Sequence, residues 1–236
     1  MKLLSIILYL IILNPAHGLE CSDGKYPVSG HSRTAYYRTD GTHVSEADVS
    51  SYCKNYRSDG PLKVKFQMKI PKDWPFKNEI FKKCTVNEQK NIAEIFSTLP
   101  KILTQVGELK IFCAKKSATE DNPATSAPTK KIIVLYSAAF KTDLKRILIH
   151  ELAHLLYGFL STKERKQYWR VAEWIDSNQT ESFTTKRTSF SALDGKYDPE
   201  EDFANNVEYF YAEQEFMIKN FPSITKWLSK FLGDKQ

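Results

Sequence analysis

The feature that most constrains this chain is a pair of histidines, His150 and His154, in an apolar segment. Side chains four residues apart lie on one face of a helix, so the two imidazoles can converge on a single metal ion. Glu151 follows the first histidine directly, where its carboxylate can accept a proton from a water on that metal. The other residues from 148 to 156 are uncharged, which suits a buried metal site. The simpler alternative is an amphipathic helix that carries two histidines by chance.

The first residues have the pattern of a secretory signal peptide. Lys2 precedes a mostly apolar run over residues 3–13 and the small residues Ala16 and Gly18, near which we expect cleavage. The apolar run is too short for a stable membrane anchor, and no second such run follows it in the sequence. We therefore expect a signal peptide over residues 1–18 and a secreted or periplasmic product without a membrane span.

Four cysteines follow that segment, an even number in a compartment that permits disulfides. None of them belongs to a Cys-x-x-Cys pair, which disfavours zinc binding through cysteine. Three connectivities can be drawn. We expect Cys21 to pair with Cys53 and Cys84 with Cys113, because each of these disulfides would close one local unit.

The formal net charge of the chain is +6, and its basic residues are scattered, with acidic residues between several of them. This distribution is typical of a solvated surface, although weak attraction to anionic cell-envelope material would also follow from it. No nucleic-acid-binding module is recognisable in the sequence, so we expect no nucleic-acid partner.

Two parts of the chain differ in composition. Residues 19–60 are rich in Gly, Ser and Asp, and the Asp40-Gly41 step between alternating segments is typical of a β-hairpin turn. We predict a small β-hairpin module there, closed by the first disulfide. Its two histidines occupy positions more typical of structural residues than of metal ligands.

Residues 61–236 combine short apolar runs with helical periodicity, which predicts one larger α+β domain. The expected strands cover residues 109–112 and 132–136, and residues 61–76 are expected to form a strand and a linker. Polar loops are expected over residues 117–129 and 176–197. The expected helices cover residues 85–99, 143–160, 161–174 and 199–232, the last with a break at Pro222.

The His-Glu-x-x-His motif resembles that of the zincin superfamily of zinc metallopeptidases. The longer metzincin motif is absent, because Tyr157 and Leu160 stand where metzincins have Gly and His. The resemblance then implies the gluzincin arrangement, in which a glutamate on a later helix is the third protein ligand of the zinc.

Two glutamates compete for that role. Glu173 has the spacing typical of thermolysin-like enzymes but lacks the Asn that usually precedes it. Glu201 follows Asp198 and Pro199, which suit the start of a helix, and precedes a Phe-Ala pair; this stretch resembles the third-ligand helix of lethal-factor-like gluzincins. Glu200 is a lesser rival. Asn205, one turn further, is expected to hold Glu201 or a ligand imidazole.

The resemblance to lethal-factor-like enzymes covers roughly residues 130–215, and one position departs from it. Those enzymes carry a tyrosine seven residues before the third ligand that can stabilise the oxyanion. Here Asp194 occupies that position, and the nearest tyrosine is Tyr197. In zincins, a strand before the metal helix lies along the substrate cleft, which assigns that role to residues 132–136. A strand that belongs only to the core is the alternative.

The resemblance implies a secreted zinc metallopeptidase with one Zn²⁺ per chain, held by His150, His154 and Glu201, and with Glu151 as general base. It implies a zincin-like α+β domain with a small mixed sheet, an active-site helix and C-terminal helices. The expected partner is a peptide or protein substrate, with cell-envelope material as a further candidate, and we expect a monomer. Two alternatives stay open: a cell-wall peptide amidase that uses the same site, and a secreted binding protein without catalysis.

Overall fold

A computed structural model gives the fold. The described residues are 25–28, 31–33, 36–37, 43–44, 47–49, 52–55, 62–70, 72, 74, 79–117, 122–176 and 183–233, with only the backbone described before residue 62. The chain divides into two compact units, Met1–Lys54 and Asn55–Gln236. The predicted signal peptide lies outside the described residues, as do Cys21 and the side chain of Cys53, so the predicted disulfide between them does too.

Six short strands near the start of the chain pair as one nested hairpin. They are β1 (Lys25–Val28), β2 (His31–Arg33), β3 (Tyr36–Tyr37), β4 (His43–Val44), β5 (Ala47–Val49) and β6 (Tyr52–Asn55). β1 pairs with β6, β2 with β5 and β3 with β4. His31 lies opposite Val49 and Tyr37 opposite His43, so both registers are centred on residue 40. The turn predicted at Asp40-Gly41 lies outside the described residues.

The second unit contains a five-stranded mixed sheet. Its strands are β7 (Lys63–Gln67), β8 (Phe81–Lys82), β9 (Glu108–Ala114), β10 (Ala124–Ala127) and β11 (Ile132–Tyr136). β7, β9 and β11 are parallel, β10 pairs antiparallel with β11, and β8 pairs antiparallel with the end of β9. β9 and β11, two of the predicted strands, lie in the middle of the sheet, and all five residues of β11 are buried. β7 is the strand predicted within residues 61–76.

At one edge of this sheet lies β10, and not β11. Because β11 has hydrogen-bonded neighbours on both sides, the prediction that residues 132–136 pair with a bound peptide is wrong, and the core-strand alternative holds. β10 lies within residues 117–129, for which the sequence predicts a loop. Its small and polar side chains are typical of an edge strand, which has a neighbour on one side only and is therefore less buried.

Most helices of the second unit begin close to the predicted positions, but the short helix Lys101–Thr104 was not predicted, and the helix predicted from Pro199 is divided at Glu213 as well as at Pro222. The helices are α1 (Val86–Thr98), α2 (Lys101–Thr104), α3 (Leu144–Gly158), α4 (Thr162–Val171), α5 (Pro199–Ala212), α6 (Gln214–Asn220) and α7 (Pro222–Gly233). The side chains of Thr85, Asp143, Ser161 and Asp198 cap α1, α3, α4 and α5. The predicted break at Pro222 is confirmed, since α6 ends before it and α7 begins with it.

Two predictions for the region after α3 are wrong. α4 ends at Val171, and Trp174 lies in strand β12 (Trp174–Asp176), which pairs antiparallel with β13 (Phe183–Thr185) inside the predicted loop. Glu173, between α4 and β12, has a φ of 58°. This left-handed backbone conformation ends the helix and starts the strand.

The predicted disulfide between Cys84 and Cys113 is confirmed. It joins the residue before the cap of α1 to strand β9, across a sequence separation of 29 residues, and both cysteines are buried. Closing a loop of this length stabilises a folded chain by about 3 kcal/mol. The disulfide therefore ties the start of α1 to a central strand of the sheet, because β9 lies between β11 and β7.

Helices α3 and α5 pack directly against each other. Leu148 and Leu152 of α3 and Phe203 and Val207 of α5 are fully buried, so each helix contributes one apolar face to the main core. α3 also packs against β10. Consequently the histidine-bearing turn of α3 is close to both the edge strand and the first turn of α5.

Candidate metal centre

Two imidazole rings on α3 face each other across a short gap. His150 Nε2 and His154 Nε2 lie 3.1 Å apart, and the ring planes make an angle of 74°. Leu148, Leu152 and Leu155, which surround the two histidines along the helix, are fully buried. Burial of these leucines fixes the rotation of α3, and one helical turn therefore presents both nitrogens at the same point.

The other ring nitrogen of each histidine lies against a carboxylate of α5. His154 Nδ1 is 3.0 Å from Glu200 Oε1, and His150 Nδ1 is 3.3 Å from Glu208 Oε2. Because a carboxylate oxygen accepts, each Nδ1 carries a proton, and in the neutral rings both Nε2 atoms present lone pairs. Two lone pairs 3.1 Å apart repel each other unless a proton or a metal cation lies between them. The ring orientations therefore fit a pair of metal ligands.

Glu201 completes a triangle of donor atoms. Its Oε2 is 3.6 Å from His150 Nε2 and 3.5 Å from His154 Nε2. A point equidistant from the three atoms lies about 2 Å from each, which is the usual bond length from Zn²⁺ to imidazole nitrogen or carboxylate oxygen. Within the described part of the chain, these three residues form a group that could hold a metal ion.

In the metal-free protein, the surrounding carboxylates favour protonated imidazoles. Burial lowers the pKa of His150, but hydrogen bonds to Glu201 and Glu208 outweigh it and raise the pKa to about 9. The pKa of His154 is raised to about 10, because hydrogen bonds to Glu200 and Glu201 likewise outweigh burial. Burial raises the pKa of Glu201, yet its bonds to both imidazoles hold that pKa well below its usual range. Protons and a metal ion would therefore compete for this cluster.

The first turn of α5 determines where its carboxylates point. Asp198 Oδ1 accepts hydrogen bonds from the backbone nitrogens of Glu200 at 2.8 Å and Glu201 at 2.9 Å, and Pro199 occupies the first helical position. Successive helical side chains point about 100° apart. Glu200 therefore reaches the outer nitrogen of one ring, while Glu201 reaches the gap between the two rings.

Two further residues contribute that the motif does not reveal, Glu208 and Arg146. Arg146 Nε donates to Glu208 Oε1 at 2.8 Å, which leaves Glu208 Oε2 for His150. Both lie on the same helix face as a metal-binding residue, because Glu208 follows Glu201 by two helical turns and Arg146 precedes His150 by one turn. That relation becomes informative only once α3 is known to pack against α5.

The other predicted site residues lie in different places. Glu151 is 6% exposed and lines the cleft beside the histidines. Glu173 is exposed in the turn after α4 and does not belong to the metal-binding group of the described residues. Asn205 is buried, but its amide nitrogen donates to Asp194 Oδ1 at 2.6 Å. This bond replaces the predicted one from Asn205 to Glu201 or an imidazole.

The site opens into a cleft of about 660 Å³. One wall is strand β10 with the two residues before it, and another is the segment 194–201, on which Tyr197 is 71% exposed. The lining residues include five carboxylates and, among the described residues, neither Lys nor Arg. The cleft is therefore acidic, although the chain as a whole has a net charge of +6.

A buried ionic cluster supports the segment that carries Tyr197. Asp202 is fully buried and accepts hydrogen bonds from Tyr168 Oη at 2.8 Å and Trp174 Nε1 at 2.9 Å, and it pairs with Arg187. Gly195 lies so close to Asp202 that a Cβ atom on it would be 3.3 Å from the Asp202 Cα. The short 3-10 helix over Leu193–Lys196 therefore packs directly on α5.

None of the described helices is long and apolar enough to cross a membrane. Comparison with known proteins finds no match to this chain among family models, curated proteins or solved structures.

Proposed function

We propose that this protein is a zinc metallopeptidase of gluzincin type, in which His150, His154 and Glu201 hold one Zn²⁺. The observation that carries the proposal is the triangle formed by the two Nε2 atoms and Glu201 Oε2, with edges of 3.1, 3.6 and 3.5 Å. Two nitrogens and one carboxylate oxygen are a common protein ligand set of catalytic zinc. Bound Zn²⁺ would act as a Lewis acid on the scissile carbonyl and lower the pKa of water.

The residues around this triangle have separate roles in the proposal. Glu151 is buried in the cleft wall directly after His150, where its carboxylate can accept a proton from water and pass it to the leaving amine. Glu200 and Glu208 accept the Nδ1 protons of the two rings and so keep each Nε2 lone pair directed at the metal position.

Strand β10 supports a peptide as the substrate. Its residues Ala124, Thr125 and Ser126 line the cleft, and it is the last strand of the sheet on that side within the described residues. An extended peptide can add to such an edge through main-chain hydrogen bonds, whatever its side chains are. The mixed sheet, the motif-bearing α3 and the glutamate on a later helix agree with a zincin-like domain that resembles the lethal-factor-like enzymes.

Tyr197 is our candidate for stabilising the oxyanion. Its side chain is exposed on the cleft wall, whereas the position at which lethal-factor-like enzymes have tyrosine holds Asp194, whose Oδ1 already accepts from Asn205. A phenol can donate a hydrogen bond to a developing negative charge. Tyr197→Phe should therefore lower kcat by roughly 10-fold or more while zinc content stays unchanged.

The test separates metal binding from proton transfer. Purified mature protein should contain about one zinc per chain by elemental analysis, as expected for a mononuclear site. Glu201→Gln should lose zinc, because two protein ligands remain. Glu151→Gln should keep zinc and lose peptide hydrolysis by roughly 10²-fold or more. Glu173→Gln is the matched control and should change neither quantity, since Glu173 lies outside the metal-binding group of the described residues.

Three results would contradict the proposal in distinguishable ways. Loss of zinc from Glu173→Gln but not from Glu201→Gln would move the third ligand to Glu173. Hydrolysis of cell-wall peptide amides but of no ordinary peptide would identify an amidase with the same site. Zinc binding without hydrolysis of any peptide or amide would identify a binding protein.

A further inference from the structure

A second cavity adjoins the metal cleft, and we call it the aromatic pocket. It measures about 410 Å³, and its walls come from the 3-10 helix after β10, the end of α3, α4, β13 and the first turn of α5. The residues that define it are Pro128, Tyr157, Arg165, Trp169, Phe183 and Pro199.

The aromatic pocket lies next to the metal cleft. Asp198 and Glu200 line both cavities, and Pro128 directly follows strand β10, which lines the cleft. A peptide that extends along β10 beyond Ala127 would therefore pass the mouth of the pocket.

Several polar groups of the aromatic pocket already have partners within the protein, although Arg165 Nε is buried without a hydrogen-bond partner. Trp169 Nε1 donates to Tyr157 Oη at 2.9 Å, and Arg165 Nη2 donates to the Gly158 carbonyl at 3.1 Å. Glu200 Oε1 is engaged by His154, as described above. What the pocket offers a ligand is thus mainly apolar and aromatic surface. A polar ligand group would lose hydrogen bonds to water there and gain few in return.

The rings of the pocket are arranged for contact with a further ring. Trp169 and Phe183 have centroids 4.7 Å apart at an interplanar angle of 59°, and the Arg165 guanidinium lies 5.3 Å from the centre of the Tyr157 ring. Aromatic rings favour tilted and edge-to-face neighbours, and each such contact adds to the free energy of apolar burial. An aromatic side chain therefore fits this lining better than an aliphatic one.

We infer that the aromatic pocket binds a Phe, Tyr or Trp side chain of the peptide that occupies the metal cleft. This inference depends on the proposed function for the position of that peptide. We propose that this peptide pairs antiparallel with β10, as edge strands and added peptides can. It then runs from Pro128 toward Asn122, and the bound side chain belongs to a residue on the amino-terminal side of the cleaved bond.

The test uses acetylated and amidated octapeptides of Gly, Ser and Ala in which a single Phe occupies each position in turn. The cleavage site should move with the Phe and stay at a fixed distance on its carboxyl-terminal side. The parent peptide without Phe should have a kcat/KM about 10- to 100-fold lower, as expected when burial of one aromatic side chain is lost.

Thr129→Trp fills the pocket without disturbing the core, since Thr129 is an exposed residue of the pocket lining. This variant should cleave the Phe peptides no better than the parent peptide, with its melting temperature unchanged. Thr98→Trp is the matched control, because Thr98 is also exposed but lines neither the cleft nor the aromatic pocket. The control should behave as the wild type does.

Binding measurements separate failure of this inference from failure of the proposed function. Calorimetric titration of the Glu151→Gln variant with the same peptides should give about 10- to 100-fold tighter binding for the Phe peptides. That result without hydrolysis by the wild type would overturn the peptidase assignment and support the pocket. The inference would be overturned if the Phe peptides and the parent peptide bound equally well, or if neither bound. It would also be overturned if the cleavage sites were unrelated to the position of the Phe.

Discussion

Replacement of Glu208 by glutamine should weaken metal binding even though Glu208 does not touch the metal position. In the wild type, one carboxylate oxygen accepts from Arg146 Nε at 2.8 Å and the other lies 3.3 Å from His150 Nδ1. Glutamine has one oxygen and one NH₂ group in place of the two oxygens. Whichever way the amide is turned, its NH₂ faces a donor, so either the arginine or the imidazole loses its acceptor.

The expected loss of zinc affinity follows from the hydrogen-bond acceptor that the His150 imidazole loses. Partners that hold the outer nitrogen of a metal-binding histidine typically change metal affinity by about 10- to 100-fold, or about 1.4 to 2.8 kcal/mol. A second effect opposes the first at neutral pH. Glu208 helps to raise the pKa of His150 to about 9, so the variant holds the competing proton less tightly. The affinity deficit should therefore be smaller at pH 7 than at pH 9.

The assay is zinc titration in competition with a chromophoric chelator at both pH values, with thermal unfolding of the metal-free proteins to verify their folding. Glu213→Gln is the matched control. Glu213 also pairs with Arg146, at 3.1 Å, but its side chain is 49% exposed, and exposed ion pairs contribute about 0 to 1 kcal/mol. If Glu208→Gln and Glu213→Gln bind zinc equally well at pH 9, Glu208 does not orient His150 and the reasoning fails.

Four further outcomes are expected. The metal-free protein should lose several kcal/mol of stability as pH rises from about 6.5 to 10, because the two imidazoles have folded-state pKa values of about 9 and about 10, above the ordinary 6.5. Denaturant unfolding at a series of pH values measures this, and zinc-loaded protein should not show it. Replacing Cys84 and Cys113 with alanine should lower the free energy of unfolding by about 3 kcal/mol, and a much smaller loss in urea titration would show that the disulfide hardly constrains the unfolded chain. Asp202→Ala should lower the free energy of unfolding by about 3 to 5 kcal/mol in the same urea titration, because it leaves the Arg187 guanidinium buried without its carboxylate. An unchanged urea midpoint would show that Asp202 does not stabilise the fold in this way. Peptides with flanking lysines should be cleaved faster than their glutamate analogues, with a difference that shrinks in high salt, because the cleft is acidic; equal rates at low salt would contradict this.

Local features of the sequence were sufficient to predict where most of the longer helices begin. The caps at Thr85, Asp143 and Ser161 and the stop at Pro222 act within a few residues, so the chain around each of them decides where a helix begins or ends. The spacing of His150 and His154 places both rings on one face of α3 for the same reason, since helical periodicity is itself local. The disulfide of the larger unit was predictable because cysteine count and spacing left few sensible pairings.

The tertiary structure decided the features that depend on residues far apart in the chain. Glu173 and Glu201 are both placed near helix ends by local signals, but only the packing of α3 against α5 brings Glu201 within 3.6 Å of the imidazole nitrogens and leaves Glu173 outside the group. The same packing selects Glu208 as the partner of His150. Strand β10 resembles a loop in the sequence because an edge strand buries few apolar side chains. Only its pairing with β11 in the folded protein places it at the wall of the cleft.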